Sequence, residues 1–111
     1  MLEVLHYLDR DGKDVFDTWL SRLADLRAQA KIATRVNRLV AGNFGDCKLL
    51  RQGLCELRID WGPGYRLYYA MLGRRCVLLL CGGDKRKQSS DIDRALAYLK
   101  DYKQRTGTDE T

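Results

Sequence analysis

The chain has 111 residues, 45% of them hydrophobic, and a formal net charge of +5. This length and composition predict a single globular domain over residues 1–111 and exclude a disordered chain. The longest apolar run, residues 76–81, is too short to span a bilayer, which needs about 20 residues. With no recognisable secretory signal, we expect a cytoplasmic protein without membrane contact.

The thiol and imidazole groups lack the spacing of a metal site. The cysteines are Cys47, Cys55, Cys76 and Cys81, and His6 is the single histidine. Because a structural zinc site uses paired ligands at short spacing, we expect no such site. We expect reduced, mostly buried thiols instead.

The first half of the chain has the pattern of one strand and two helices. Residues 2–8 are apolar and β-prone, which predicts an opening strand. The next apolar positions recur on one helical face: Phe16, Trp19, Leu20 and Leu23. A second helix is predicted from about Leu26 to Val40, with Gly42 as its C-cap. The short break between the helices indicates an antiparallel αα-hairpin.

The second half has the pattern of a β-meander and a helix. A glycine-containing loop at residues 43–46 precedes strand formers over residues 49–81, with turns at 61–64 and 73–75. Ser90 and Asp93 have the spacing of a capping signal for a final helix to about Arg105. Residues 106–111 are expected to be a frayed tail.

This order, β-α-α-β-β-β-α, predicts an α+β fold. We expect a small, twisted, mainly antiparallel sheet with the N-terminal αα-hairpin packed on one face, and a C-terminal helix. The first strand would pair beside the meander.

The net charge is concentrated in one segment. Residues 48–87 contain nine cationic and three anionic side chains, whereas residues 1–47 contain seven of each. A local cationic excess indicates a polyanionic partner, although an ordinary solvated surface remains an alternative.

Strand parity bears on two arginines of the predicted hairpin. Arg58 and Arg66 lie directly opposite each other if the connecting loop has an odd number of residues. Two facing guanidinium groups repel each other unless an anion lies between them, and a phosphate fits this geometry. The alternative is two solvated arginines paired with Glu56 and Asp60.

Cations and an aromatic residue continue this candidate site. Lys85, Arg86 and Lys87 directly follow the most apolar strand, where a rigid scaffold would hold them, unless they are simply a solvated charge run. Tyr65 and Tyr69 share a strand face with Leu67 and are expected in the core. Tyr68 lies on the other face, where an aromatic ring beside arginines can stack on RNA bases.

Several motifs occur in the order found in one toxin family. They are Gly42-Asn-Phe-Gly-Asp46, Glu56-Leu-Arg-Ile-Asp60, Gly62-Pro-Gly-Tyr-Arg-Leu-Tyr-Tyr69 and Leu78-Leu-Leu-Cys-Gly-Gly-Asp-Lys85, followed by Gln88 and Asp91-Ile92. Over nearly the whole chain this pattern resembles the RelE/ParE toxin superfamily, and within it the HigB-like, phage-derived addiction module killer proteins.

The resemblance implies a toxin of a type II toxin–antitoxin system with a RelE-like domain. Such toxins are endoribonucleases that use neither a metal nor an organic cofactor and cleave messenger RNA, usually on the ribosome. The RNA 2′-hydroxyl attacks the adjacent phosphodiester, leaving a 2′,3′-cyclic phosphate and a 5′-hydroxyl.

The resemblance also implies residue roles. Arg66 would stabilise the charge of the transition state, Arg58 would contact the phosphate, and Lys85 would stabilise charge or move a proton. Gln88 would orient the RNA. The further RNA-binding residues would be Lys48, Arg51, Arg86 and Lys87.

The proton acceptor differs from that of many family members. Ile92 stands where they have a tyrosine, which leaves Tyr68 or Lys85, either of which would need a lowered pKa.

The implied partners are messenger RNA, the ribosome and a helix-turn-helix antitoxin. We expect a monomeric free toxin and a heterotetramer with the antitoxin. Two alternatives remain open: a ParE-like inhibitor of DNA gyrase without nuclease activity, and a non-catalytic RNA-binding module.

Overall fold

The computed structural model describes residues 1–107. Its strands are β1 (Glu3–His6), β2 (Cys47–Leu49), β3 (Leu54–Ile59), β4 (Tyr65–Leu72) and β5 (Cys76–Asp84). Its helices are α1 (Val15–Ser21), α2 (Leu26–Val40) and α3 (Gln88–Thr106), and a 3₁₀ turn (Lys85–Lys87) leads into α3.

The strands form one mixed sheet in the order β1-β5-β4-β3-β2. Strands β2 to β5 pair antiparallel, and β1 pairs parallel to β5. The α+β class, the mainly antiparallel sheet and the position of the first strand beside the meander are therefore confirmed. Strand β2 is an addition to the predicted order, because a three-residue edge strand with every residue exposed has little apolar pattern.

Helices cover both faces of the sheet. Phe16 of α1 and Ile32 of α2 pack into a core on one face with β-strand residues such as Leu57. Ala95 and Leu99 of α3 pack into a second core on the other face. The first face therefore carries the N-terminal helices, as predicted. Burial of β5 between the two layers explains its uninterrupted apolar run, since both strand faces exclude water.

Carboxylates cap the N-termini of the first two helices. Asp14 accepts a hydrogen bond from the backbone N–H of Asp17, and Asp25 accepts from those of Arg27 and Ala28. Helix α2 has the predicted bounds, but its C-cap is Ala41 rather than the predicted Gly42, which follows with a φ of 85°.

Helix α3 begins earlier than predicted, because the 3₁₀ turn leads straight into it. The capping prediction for Ser90 is wrong: Ser90 lies inside α3, and its hydroxyl donates to the carbonyl of Lys87. The carboxylate before the helical segment is Asp84, which accepts from the backbone N–H of Arg86. Of the predicted frayed tail, Thr106 is helical, Gly107 is the C-cap, and residues 108–111 lie outside the described part.

A β-bulge determines which residues of β5 face α3. The register between β4 and β5 shifts at Tyr68/Tyr69, and Leu80 and Cys81 both join the core beneath α3. Beyond the bulge, Gly82 faces the indole of Trp19 on the opposite face.

Two further findings concern the thiols and the helices. All four cysteines are free, but only Cys81 is buried and Cys47 is exposed, so the prediction of mostly buried thiols is wrong. Within residues 1–107, no helix is both long enough and apolar enough to cross a membrane.

Candidate functional site

The two hairpin arginines lie opposite each other. Arg58 on β3 pairs in register with Arg66 on β4, and five residues, an odd number, connect the strands. The same row continues to Gly83 on β5, which has no side chain to cover the arginines. The structure thus decides between the odd and even loops that the sequence left open, in favour of facing arginines.

Carboxylates of the chain neutralise both arginines. Arg58 Nη2 lies 3.0 Å from Asp46 Oδ1, and both side chains are largely exposed. Arg66 Nη1 lies 3.0 Å from Glu56 Oε1, and these side chains are only 12% and 2% exposed. Of the two carboxylate partners suggested by the sequence, Glu56 is confirmed for Arg66, whereas Asp60 is replaced by Asp46.

Gln88 completes the buried ion pair. Its amide Nε2 donates to Glu56 Oε2 at 2.8 Å, so both carboxylate oxygens have a donor. Besides the predicted role of orienting RNA, Gln88 therefore forms a structural contact that links α3 to β3. Removal of either donor would destabilise the fold, because the buried carboxylate of Glu56 would then be less well compensated.

Tyr68 occupies a different environment from the one its predicted role needs. Its side chain is fully buried, so its ring has no surface on which a base could stack. Burial, reinforced by the nearby charges of Glu56 and Asp91, raises the pKa of the Tyr68 hydroxyl far above its ordinary value. This opposes the lowered pKa that a proton acceptor requires, and the prediction for Tyr68 as base or stacking surface is corrected.

A second buried carboxylate lies next to this cluster. Asp91 of α3 accepts a hydrogen bond from Arg94 Nη2 at 2.6 Å through Oδ1, while Oδ2 rests against Gly83. The thiol of Cys81 donates to the Asp91 backbone carbonyl. Three buried atoms without a hydrogen-bond partner belong to the same neighbourhood: Arg66 Nε, Tyr68 Oη and Asp91 Oδ2.

The cations after β5 lie in the 3₁₀ turn. The backbone N–H of Lys85 donates to the carbonyl of Gly64, which fixes the turn against the β3–β4 hairpin. The side chains of the turn are exposed, and Arg86 pairs with Asp84 at 3.1 Å. Lys85 and Lys87 have no carboxylate partner within residues 1–107 and remain available to an anion.

The remaining predicted cations lie toward β2. Lys48 is exposed and pairs in register with Glu56, which places it on the same sheet face as Arg58 and Arg66. Arg51 is exposed and lies 3.3 Å from Asp93 of α3. The structure therefore gathers Lys48, Arg58 and Arg66 on one face and holds Lys85 beside the same hairpin.

Sequence reasoning missed the structural roles of Asp46 and Asp91, and it gave Glu56 only as one alternative partner of the arginines. Asp46, Glu56 and Asp91 all hold arginines, and two of them are buried. The sequence signal that could have revealed this role is Glu56, an acidic residue within a strand that is otherwise largely buried. Within residues 1–107, no group of three or more metal-ligating side chains is present.

Taken together, these features define a small α+β protein whose five-stranded sheet is covered on both faces and carries partly neutralised cations at one end. No model of a known protein family matches the chain. A Haemophilus influenzae protein, described as uncharacterized, is 55% identical over 80 residues, which are 72% of this chain and 81% of that protein. This chain belongs to the same family as that protein.

Proposed function

We propose that the protein is a RelE-like, HigB-type toxin of a type II toxin–antitoxin system that cleaves messenger RNA, most effectively on the ribosome. The observation that carries the proposal is the facing pair of Arg58 and Arg66, with Lys85 fixed against the same hairpin. Two arginines held by the sheet and a lysine whose backbone is fixed beside them are suited to a phosphodiester.

The two arginines contribute differently. The Arg58–Asp46 ion pair is exposed and contributes little to stability, so a phosphate can replace Asp46 at small cost. Arg66 is held in one orientation by Glu56, whose second carboxylate oxygen accepts from Gln88, and this reduces the entropy lost when RNA binds. Arg58 therefore recruits the phosphate, and Arg66 contacts it from a preorganised position.

The cleavage step needs no cofactor in this proposal. The 2′-hydroxyl of one nucleotide attacks the adjacent phosphorus, the bond to the 5′-oxygen of the next nucleotide breaks, and a 2′,3′-cyclic phosphate remains. Arg66 and Lys85 stabilise the added negative charge of the transition state. The exposed Lys85 ammonium donates a proton to the leaving 5′-oxygen, and water accepts the proton of the 2′-hydroxyl, since Tyr68 is buried and its pKa is raised.

As a toxin, the protein would have a cognate antitoxin. We propose a helix-turn-helix partner that covers the cationic surface and forms a heterotetramer with an otherwise monomeric toxin. In the cytoplasm, release from this partner would allow access to messenger RNA and the ribosome.

The test is controlled expression in a bacterial culture, with growth and messenger 5′ ends followed together. We expect growth arrest and new 5′-hydroxyl ends within coding regions. Arg58→Ala and Lys85→Ala should each lower cleavage on the order of 10²-fold, as expected for loss of one group that stabilises transition-state charge. Arg66→Lys tests the fork geometry while keeping a cation beside Glu56.

Arg74→Ala is the matched control. Arg74 is an exposed arginine of the β4–β5 turn, at the other end of the hairpin, and this variant should cleave as the parent does. Growth arrest with intact messenger would contradict the nuclease proposal and favour a ParE-like gyrase inhibitor.

A non-catalytic RNA-binding module is the second candidate. The burial of Tyr68 favours it, because one of the two proposed proton acceptors is withdrawn from any substrate. Purified protein that binds RNA with a steep salt dependence, but leaves it intact with and without ribosomes, would establish this alternative.

A further inference from the structure

Helix α2 carries an unbalanced positive charge. Its fifteen residues include four cations and no acidic residue: Arg27, Lys31, Arg35 and Arg38. The summed charge of residues 1–47 does not show this excess, because acidic residues elsewhere in that segment balance these cations. Arg27, Lys31 and Arg38 are exposed and, with Thr34, follow one another at helical spacings that place them on one face.

These cations have no carboxylate within ion-pair distance in the described chain, and Asp25 acts on Arg27 only at longer range. Seven other arginines of the described residues form ion pairs with carboxylates, including Arg58 and Arg66 of the candidate site. Within residues 1–107, none of the four cations of α2 forms an ion pair. Cations without ion pairs therefore lie on α2 as well as at the candidate cleavage site.

A groove runs beside this charged face. It has a volume of about 310 Å³ and lies between α2 and the end of β3. Its lining residues are Ala30, Lys31, Thr34, Arg35, Arg38, Ile59 and Asp60. Asp60 is the one acidic residue of this lining, and it is exposed.

Four contacts tie the walls of the groove together. Arg35 donates to the carbonyls of Arg58 and Phe44 at 2.8 and 3.0 Å, which ties α2 to β3 and to the preceding loop. Lys31 Nζ lies 4.5 Å from the centroid of the Trp61 ring, and the indole N–H of Trp61 donates to Asp25. The Trp61 face is thus occupied by a cation rather than free to stack on a base.

We propose that the α2 face, with its groove, is a second RNA-binding surface that holds the phosphate backbone of duplex RNA. The face is separate from the Arg58–Arg66 site. The proposal rests on the proposed function in one respect, which is that the ligand is RNA rather than another polyanion. The occupant is a structured RNA, such as a ribosomal helix presents.

The form of the surface favours a duplex backbone over a single strand. From Arg27 to Arg38 the cations extend about 16 Å along a straight helix, which spans several phosphates. Between them stand small or short side chains, Ala30 and Thr34, which cannot reach base edges. Duplex RNA is recognised by shape and backbone contacts, whereas single strands need exposed aromatic faces.

The experiment measures binding of the full chain to a 20-base-pair RNA duplex and to a single-stranded RNA of one of its strands, at several salt concentrations. Arg27→Gln, Lys31→Gln and Arg38→Gln are combined in one variant. We expect this variant to bind the duplex about tenfold more weakly, with a salt slope smaller by about 2 to 3, one for each lost phosphate contact. Single-strand binding should change much less.

The matched control removes the same charge elsewhere. Arg74→Gln, Arg75→Gln and Lys100→Gln are combined at exposed positions without ion pairs in the described chain. Asp60→Asn gives a test of opposite sign, because removing the acidic lining residue should strengthen duplex binding severalfold. Arg58→Ala should weaken single-strand binding more than duplex binding.

Equal losses for the two triple variants would overturn the proposal, since only net charge would then matter. Binding of poly-L-glutamate as tight as binding of the duplex would also overturn it and favour an acidic protein partner. Because duplex binding is measured without cleavage, failure of the nuclease proposal would be a separate result.

Discussion

Glu56 and Arg66 form a buried ion pair that joins neighbouring strands diagonally, with 3.0 Å between Oε1 and Nη1. Glu56 lies in register with Tyr68, and Arg66 with Arg58, so the pair links two successive rows of the sheet. One row is largely buried, and the other carries the candidate phosphate ligands. The ion pair therefore connects the folded core directly to the candidate site.

This connection predicts a large cost for removing one partner. Glu56→Ala should lower the free energy of unfolding by about 3–5 kcal/mol, because it leaves the guanidinium of Arg66 buried without its carboxylate. Urea unfolding of the variant measures this. In the matched control, Glu56→Met with Arg66→Met should recover most of the loss. A cost below about 1 kcal/mol for Glu56→Ala would mean that water reaches the pair.

Gly83 should be intolerant of any side chain. A Cβ at this position would lie 1.9 Å from Asp91 Oδ2, so the carboxylate or the start of α3 must move. We expect Gly83→Ala to cost about 1–3 kcal/mol in thermal or urea unfolding, as for other overpacked cores. In a double-mutant cycle, Asp91→Ala should reduce this cost. Strictly additive effects of the two substitutions would show that the carboxylate is not the obstacle.

Stability should decrease at alkaline pH because of buried tyrosines. Burial, with a hydrogen bond to Asp101, raises the pKa of Tyr7 to about 12, and burial raises the pKa of Tyr68 and Tyr69 further. In the unfolded chain these hydroxyls ionise near pH 10, whereas the folded protein keeps them protonated. Their contribution is thus complete below about pH 10 and is lost as pH rises toward the folded pKa.

Urea unfolding between about pH 8 and pH 11 measures this decrease. Tyr68→Phe should make the decrease smaller, since the substituted ring cannot ionise in the unfolded chain. The same variant should keep cleavage within about twofold if Tyr68 is only structural. A cleavage loss on the order of 10²-fold would restore Tyr68 as a catalytic group.

Asp46 should compete with RNA for Arg58. The two side chains form an exposed ion pair, worth about 0.2–1 kcal/mol. Asp46→Asn frees Arg58 and should strengthen single-stranded RNA binding by about two- to fivefold with little change in stability. Asp11→Asn removes an equal charge from an exposed position of the β1–α1 connection and serves as the control. Equal effects of both substitutions would indicate a general charge effect.

Local patterns were sufficient to predict most of the elements. The i, i+3, i+4 spacing predicted α2 with its observed bounds, and period-two alternation limited Arg58 and Arg66 to two arrangements, of which the structure has the facing one. These features depend on backbone geometry over a few residues. Strand β2 and the start of α3 were missed, since an edge strand and a 3₁₀ turn are decided by the neighbours on which they pack.

The candidate site was predictable only in part. Sequence reasoning identified the cations but could not tell which carboxylate would meet each one. Asp46, Glu56 and Asp91 come from a loop, a strand and a helix, and only the folded chain brings them to Arg58, Arg66 and Arg94. The same holds for α2, where charges summed along the chain cancel but charges on the folded surface do not.

By itself, the sequence determined the helices, the meander and the strand face of each hairpin arginine, because hydrophobic periodicity and strand parity are local properties of the chain. The tertiary structure alone decided that Tyr68 is buried, that Glu56 holds Arg66, and that the cations of α2 remain without carboxylate partners in the described chain. Burial and ion pairing depend on residues far apart in sequence, and these contacts exist only once the sheet has closed between its two helical layers.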